Sequence, residues 1–117
     1  MSINIITPCY DEDENVILDN IKSIKKQISE NLINHFCIFD GIDRISEIKN
    51  KIVNCNNLHF YKTKFNHADY GDYVRRLGTK LSLKNKIKSV GYLDADNSFE
   101  KNHISTVLKV HNETRKK

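Results

Sequence analysis

Two aspartates separated by one residue, Asp94 and Asp96, are the side chains of this sequence most clearly placed to bind a ligand. They follow a short, largely apolar run, Val90 to Leu93, which is typical of a buried strand. Two carboxylates at the end of a strand can share a hard divalent cation, which prefers oxygen ligands and also binds phosphate oxygens. Aspartates are also common in turns and at helix N-caps, so the spacing alone is weak evidence. Its place directly after a buried strand favours a metal site.

Other polar residues follow the first two apolar runs. Asp40, in Phe39-Asp40-Gly41, can accept a hydrogen bond from a nucleobase N–H or a ribose hydroxyl, and an Asp-Gly turn explains it equally well. Thr7 and Pro8 end the first run, where exposed backbone groups can line a pocket. A simple strand terminator explains Pro8 equally well.

Further candidates lie between residues 65 and 76. Arg75 and Arg76 fall on a predicted helix, and one guanidinium can reach a phosphate, although a solvated helix face is the commoner role. His67 and Asp69 can line the mouth of a pocket, but an ordinary surface loop is the simpler interpretation. Cys9 has no histidine nearby in sequence, so we assign it no catalytic role.

The elements that position these residues alternate between strand and helix. The predicted strands are Ile3–Thr7, His35–Phe39, Leu58–Lys62 and Ser89–Leu93. A first helix is predicted over Asp13–Glu30, because Asp11 and Glu14 have capping-box spacing. A second helix is predicted from the helical spacing of Ile45, Ile48, Ile52 and Val53. A third is predicted over Tyr73–Leu83, although Gly78 weakens it. The last is predicted from one face formed by Ile104, Val107, Leu108 and His111.

This alternation predicts an α/β fold with a Rossmann-like parallel sheet of about four strands and helices on both faces. In open sheets of this kind, ligands bind beyond the carboxyl ends of the strands. The segments 7–12, 40–43 and 94–97 each follow such an end. We therefore expect their polar side chains to meet at one edge of the sheet.

Composition narrows the class of protein. A length of 117 residues fits one domain, 1–117, and no apolar run approaches the roughly 20 residues of a membrane helix. The first strand begins too close to Met1 for a secretory signal, and three cysteines without a CxxC pair favour a reducing cytoplasm. The net charge of +4 is spread along the chain, so we expect no specific nucleic-acid binding.

The order of these segments resembles that of the inverting, GT-A-type glycosyltransferases of family 2. The segment Ile3 to Glu12 resembles their opening strand and Pro-x-Tyr-Asn-Glu loop, with Asp11 where Asn is usual. Phe39-Asp40-Gly41 resembles their Asp-Asp-Gly-Ser segment, and Asp94-Ala95-Asp96-Asn97 their DxD metal motif. Tyr70 to Gly78 resembles the stretch that often bears an arginine near the diphosphate. The resemblance covers nearly the whole chain.

By this resemblance, the chain binds a nucleoside-diphosphate sugar, with a UDP-sugar favoured, and uses Mn²⁺ or Mg²⁺ to glycosylate an unidentified hydroxyl acceptor. Thr7 and Asp40 would contact the base, Asp94 the ribose or metal, and Asp96 the metal. The whole implied nucleotide-sugar site is Thr7, Pro8, Tyr10, Asp40, Arg75, Asp94, Ala95 and Asp96, with Asp94 and Asp96 as metal ligands.

Family members also carry a second half that holds the acceptor and the base that deprotonates it. No residue of this sequence is a candidate for that base, so we expect either a fragment of a longer enzyme or a non-catalytic nucleotide-sugar-binding module. A nucleotidyltransferase is disfavoured because the segment Pro8 to Glu14 contains no glycine for a phosphate loop. A basic nucleic-acid-binding domain would rest on charge alone. The sequence predicts no oligomeric state.

Overall fold

The computed structural model describes residues 2–27, 32–52, 56–85, 89–100 and 103–115, with side chains up to residue 110. Four strands form one sheet: β1 (Ser2–Cys9), β2 (Leu32–Phe39), β3 (Leu58–Lys62) and β4 (Ser89–Tyr92). All three pairings are parallel, in the order β3-β2-β1-β4, so β1 and β2 are central. The helices are α1 (Glu14–Lys25), α2 (Ile45–Lys49), α3 (Asp72–Lys84) and α4 (His103–Arg115).

Helices cover both faces of the sheet, as predicted. On one face, Val74 of α3 packs against Ile6 and Ile38. On the other face, α1 and α2 bury one apolar cluster and the end of α1 buries a second with α4. The first contains Ile17, Leu18, Ile21, Cys37, Phe39 and Ile48, and the second Ile3, Ile5, Ile24, Leu93, Ile104 and Leu108. None of the described helices combines the length and apolar content that crossing a bilayer requires.

The first strand continues through Pro8 instead of ending there, so the prediction of a strand terminator is wrong. Pro8 is in register with Ile38, and Cys9 with Phe39. Backbone groups of alternate residues face alternate neighbours: the Ile6 carbonyl accepts from Leu93 beside β4, and the Cys9 carbonyl accepts from Asp40 beside β2. The Pro8 nitrogen therefore faces the β4 side, beyond the last paired residues, where a missing N–H costs no ladder hydrogen bond.

Two predicted helices are shorter in the structure. α1 ends at Lys25, and the side chain of Gln27 binds the Glu100 carbonyl (2.6 Å) and the Ile104 amide (3.0 Å), so tertiary contacts take over there. α2 has only five residues, and Ile52 lies in coil. Val107 of α4 is 48% exposed and does not belong to the buried face predicted for it. Predictions for residues 28–30, for Val53 and Cys55, and for the His111 side chain lie outside the described residues.

Gly78 lets α3 approach the centre of the sheet. A Cβ at this position would lie 2.5 Å from Cδ1 and 2.8 Å from Cγ1 of the fully buried Ile6. A larger residue would push the helix away from β1. The helical weakness that the sequence shows at Gly78 therefore reflects close packing between α3 and β1.

Candidate functional site

The carboxyl ends of β1, β2 and β4 and the amino end of α3 surround a cleft of about 680 Å³. This volume is within the usual range for small-molecule sites. Four segments contribute to its wall, and the residues are Pro8, Cys9, Tyr10, Asp11, Glu12, Asp40, Asn66, Ala68, Asp69, Tyr70, Gly71, Arg75, Asp94, Ala95 and Asp96. Seven of the eight sequence-predicted site residues line this one cleft, and Thr7 is the exception.

Asp94 and Asp96 lie in a tight turn after β4. The Asn97 amide donates to the Asp94 carbonyl at 3.0 Å, which closes the turn. The alternative role as an N-cap is excluded, because α4 begins at His103. Ala95 is 3% exposed and packs in the cluster beneath α1, whereas the aspartates on either side are exposed. The turn is thus anchored by its middle residue, with a carboxylate on each side at the cleft wall.

The side chain of Asn20, on α1, binds the backbone of this turn. Its Nδ2 donates to the carbonyls of Asp94 and Asn97, both at 3.0 Å. The residue is 1% exposed and lies on the same helix face as Ile17, Ile21 and Ile24. No motif includes this residue, although a polar side chain on an apolar helix face is a signal that the sequence contains.

Of the two neighbouring arginines, Arg75 points to the cleft. Its Nη2 donates to Asp94 Oδ1 in a short contact, and its Nη1 donates to the Tyr70 carbonyl at 2.9 Å. Arg76 instead pairs with Asp72 one helical turn earlier, at 2.9 Å, and its side chain is 71% exposed. Because Arg75 bridges the end of β4 and the 66–71 loop, it is the only one of the pair at the cleft.

Asp40 lies at the bottom of the cleft wall with a side chain that is 8% exposed. Its Oδ1 accepts from Thr63 Oγ1 (2.9 Å) and from His67 Nδ1 (2.6 Å), and its Oδ2 accepts from the His67 amide (2.9 Å). Burial by itself raises the pKa of Asp40, but the hydrogen bonds from His67 and Thr63 outweigh it and lower the pKa below its usual value. Asp40 is therefore a carboxylate at neutral pH.

His67 is part of this arrangement, and the interpretation of it as an ordinary surface loop residue is wrong. Its ring stacks on Tyr73, with centroids 3.8 Å apart and planes 9° apart. Its side chain and its backbone amide both bind Asp40. The contact depends on the tertiary position of the loop, so no local pattern in the sequence could predict it.

Backbone conformation explains the glycine after Asp40. Gly41 has φ +79°, and a Cβ there would lie 2.1 Å from the backbone nitrogen of Asn66. Ala68 and Tyr70, which lie in the cleft-lining loop that also contains Asn66, have positive φ values as well, at 49° and 58°. Such conformations cost energy in residues other than glycine and are concentrated at binding sites. The glycine at position 41 therefore allows the loop at Asn66 to approach the end of β2 closely.

Thr7 does not reach the cleft. It is fully buried, and its Oγ1 lies 2.8 Å from His35 Nε2 and 3.4 Å from Asn20 Oδ1. Alternation along β1 turns its side chain towards α1, so the position offers no surface to a base. The implied base contact of Thr7 therefore has no support in the structure.

The loop that carries Tyr10 is fixed by Arg44, a residue that the sequence analysis missed. Arg44 Nη1 donates to the carbonyls of Tyr10 (3.1 Å) and Glu12 (2.6 Å), and its Nε donates to Glu47 (2.8 Å). The hydrogen bond that Arg44 donates to Glu47 raises the pKa of Arg44, so the guanidinium is charged at all ordinary pH values. The first wall of the cleft is thereby tied to α2.

The charge of the cleft wall is predominantly negative. One guanidinium, Arg75, stands among six carboxylates: Asp11, Glu12, Asp40, Asp69, Asp94 and Asp96. Within the part of the chain that the structure describes, no three His, Cys, Asp or Glu side chains are grouped closely enough to hold a metal by themselves. An anion that enters this cleft therefore meets repulsion unless a cation accompanies it.

Comparison with solved structures finds the same fold in S. aureus TarS, a glycosyltransferase. TarS 1–349 in complex with UDP-GlcNAc matches 97% of this chain with a TM-score of 0.75 at 20% sequence identity. TarS 1–349 in complex with UDP matches 97% with a TM-score of 0.73 at 21% identity. This chain spans 32% of each of those two chains and 20% of the longer TarS chain. No protein-family model and no curated protein sequence matches it.

Proposed function

We propose that this chain binds the donor of a glycosyl transfer, a nucleoside-diphosphate sugar, as the nucleotide-binding part of an inverting GT-A-type glycosyltransferase of family 2. One observation carries the proposal: Asp40, Arg75 and the 94–96 turn, far apart in sequence, line one cleft at the carboxyl ends of parallel strands. The shared fold with TarS, solved with UDP and with UDP-GlcNAc, supports it.

Asp40 can accept a hydrogen bond from the base. Oδ1 already accepts two hydrogen bonds and Oδ2 accepts one, so Oδ2 retains capacity for one more donor. Uracil offers its N3–H as such a donor, and cytosine offers its N4 amine. A UDP-sugar is favoured over a CDP-sugar because TarS, which shares the fold, is solved with UDP and with UDP-GlcNAc. Pro8 and Tyr10, at the next strand end, form the adjoining wall.

The negative cleft wall makes binding of a diphosphate dependent on a divalent cation. Mg²⁺ and Mn²⁺ sites commonly combine one or two carboxylates with phosphate oxygens and water, and Asp94 and Asp96 fit that donor set. When bound, the cation neutralises charge on the departing diphosphate. Arg75, which contacts Asp94 at the cleft, would donate its remaining N–H groups to the diphosphate, because guanidinium groups match phosphate oxygens.

The residues of the cleft account for binding of the nucleotide-sugar donor. Transfer with inversion requires a base within hydrogen-bond reach of the acceptor hydroxyl, and we assign that role to none of the described residues. A non-catalytic nucleotide-sugar-binding module is therefore the second candidate. Release of UDP from UDP-GlcNAc by the purified chain with an added hydroxyl acceptor, lost in Asp96→Ala, would exclude a purely binding role.

Titration calorimetry tests the proposed binding directly. We expect UDP to bind detectably with Mn²⁺ present and at least about tenfold more weakly with the metal chelated, because the diphosphate then meets the carboxylates of the cleft without a compensating cation. CDP should bind more weakly than UDP. Asp96→Ala should remove the metal effect, and Asp43→Ala, an exposed carboxylate paired with Lys62 outside the cleft lining, should retain it. Equal binding of UDP with and without metal would refute the proposal.

A further inference from the structure

The amide of Asn20 is enclosed by partners that determine its orientation. Nδ2 faces the carbonyls of Asp94 and Asn97, and only the amine side of the amide can donate to two carbonyls. Oδ1 consequently points the other way, towards the Thr7 hydroxyl at 3.4 Å. The side chain is 1% exposed, so solvent does not replace these partners.

The contacts of the Asn20 side chain continue through Thr7 to His35. The Thr7 hydroxyl lies 3.4 Å from Asn20 Oδ1 and 2.8 Å from His35 Nε2. If this hydroxyl donates to Asn20, His35 Nε2 is the nitrogen that donates to Thr7. Among the described residues, His35 Nδ1 has no hydrogen-bond partner. A series of side-chain contacts thus runs from β2 through β1 and α1 to the turn after β4.

We infer that Asn20 is a positioning residue for the divalent cation. Its two hydrogen bonds fix the Asp94–Asn97 turn in the conformation that presents the carboxylates of Asp94 and Asp96 to a cation bound to a diphosphate. The inference rests on the proposed function and extends it, because it assigns the geometry of the metal site to a residue that contacts neither metal nor nucleotide.

The backbone contacts explain why loss of the amide should affect the turn specifically. Without the amide, the bond from the Asn97 amide to the Asp94 carbonyl would be the only one left to close the turn, because Asn20 would no longer bind the Asp94 and Asn97 carbonyls. That remaining bond would then open more often. The far end of the turn would therefore be released while Ala95 stays anchored in the core. Partners of this indirect kind typically affect metal affinity by about 10–100-fold.

Asn4 offers a matched control. It is 2% exposed, and its amide also has two side-chain partners: Nδ2 donates to Ser82 Oγ at 2.8 Å, and Oδ1 accepts from Asn34 at 3.2 Å. These partners lie on the face of the sheet that α3 covers, away from the turn. Asn4→Ala should therefore cost comparable stability without disturbing Asp94 or Asp96.

The test compares Asn20→Ala and the milder Asn20→Ser with Asn4→Ala and Asn4→Ser. The first measurement is the ratio of the UDP dissociation constants without and with Mn²⁺. We expect this ratio to fall about tenfold in the Asn20 variants and to stay within about twofold of wild type in the Asn4 variants. The affinity for uridine, which lacks phosphate, should be unchanged in all four. If Asn20→Ala does not fold, Asn20→Ser decides.

The second measurement needs no ligand: the hydrogen-exchange rate of the Asn97 amide in each variant. We expect faster exchange in the Asn20 variants than in Asn4 variants of equal global stability. If Asn20 and Asn4 variants agree in both measurements, the inference is overturned while the proposed function stands. If wild type shows no metal-enhanced UDP binding, the proposed function fails and the cation role with it, and the exchange rates then report only on the turn.

Discussion

Neighbouring residues of one type can have different roles, as Arg75 and Arg76 show. Arg75 binds Asp94 and the Tyr70 carbonyl at the cleft, whereas Arg76 pairs with Asp72 on an exposed helix face. We expect Arg75→Ala to weaken UDP binding by about 10–100-fold, because a charge-assisted contact is lost. Arg76→Ala should change it by less than about twofold. Fluorescence anisotropy with a labelled UDP measures both, and equal effects would contradict the assignment of Arg75.

A second residue-scale prediction concerns acid stability. Burial lowers the pKa of His35 to about 3, from an ordinary value of 6.5. The unfolded chain therefore binds a proton below pH 6.5 that the folded chain does not, and stability present above that pH is lost as pH falls towards 3. The expected loss is about 1.4 kcal/mol per pH unit. Urea unfolding at pH 7, 6 and 5 measures the slope.

His35→Gln supplies the control for this slope, since it removes the titrating group and keeps a polar side chain. Its unfolding free energy should be less dependent on pH between 6.5 and 5 than that of wild type. Asp40 acts in the same direction, but its folded pKa lies below the usual 3.8, so its contribution is lost only at lower pH. An unchanged slope in His35→Gln would contradict the account of His35 as a buried neutral side chain.

Side chains next to strand ends were predictable, and the residues that hold them in place were not. Asp40, Asp94 and Asp96 could be found because a parallel sheet places the carboxyl ends of its strands at one edge. The base contact implied for Thr7 has no support in the structure, because the position of Thr7 near a strand end did not reveal on which face of the sheet its side chain lies. His67 and Arg44 act through contacts across 27 residues or more, to Asp40 and to the 10–12 loop, which no local spacing encodes.

At the scale of elements, whether a segment is a strand or a helix was more predictable than the residues at which it begins and ends. Runs and spacings of apolar residues indicated all four strands and three of the helices that the structure describes, because these elements pack apolar side chains in the core. The helix over residues 73–83 was predicted from a longer polar-apolar segment. Boundaries depended on tertiary contacts instead: β1 runs past Pro8 because its nitrogen faces away from the ladder with β2. α1 stops where Gln27 binds residues 100 and 104. Local sequence does not contain such contacts.

The packing of α3 on β1 gives an element-scale prediction. Gly78→Ala gains up to about 1 kcal/mol of helix propensity, but its Cβ would meet Ile6 at 2.5 Å. Overpacking of this kind costs about 1–3 kcal/mol, so we expect a net loss of stability. The double variant with Ile6→Val removes the closest methyl group and should recover part of the loss. Unfolding free energies of the two single variants and the double variant give the coupling, and strict additivity would argue against the close contact.

At the scale of the whole molecule, the fold gathers negative charge at one edge of the sheet. Six carboxylates and one guanidinium line the cleft, although the chain as a whole has a net charge of +4. Net charge therefore says little about the ligand, and the nucleic-acid interpretation loses its only basis at the cleft. The local field instead favours a cation, as the proposed function requires.

The most direct test of this account is the paramagnetic effect of Mn²⁺ on the NMR spectra of the chain and of bound UDP. We expect substoichiometric Mn²⁺ to broaden the amide signals of Ala95, Asp96 and Gly71 and the phosphorus signals of UDP, with little effect on Leu32 at the amino end of β2, on the opposite edge of the sheet. The broadening should require UDP and should vanish in Asp96→Ala. Broadening spread over surface carboxylates, or centred away from the 94–96 turn, would contradict the claim that a cation joins a diphosphate to this cleft.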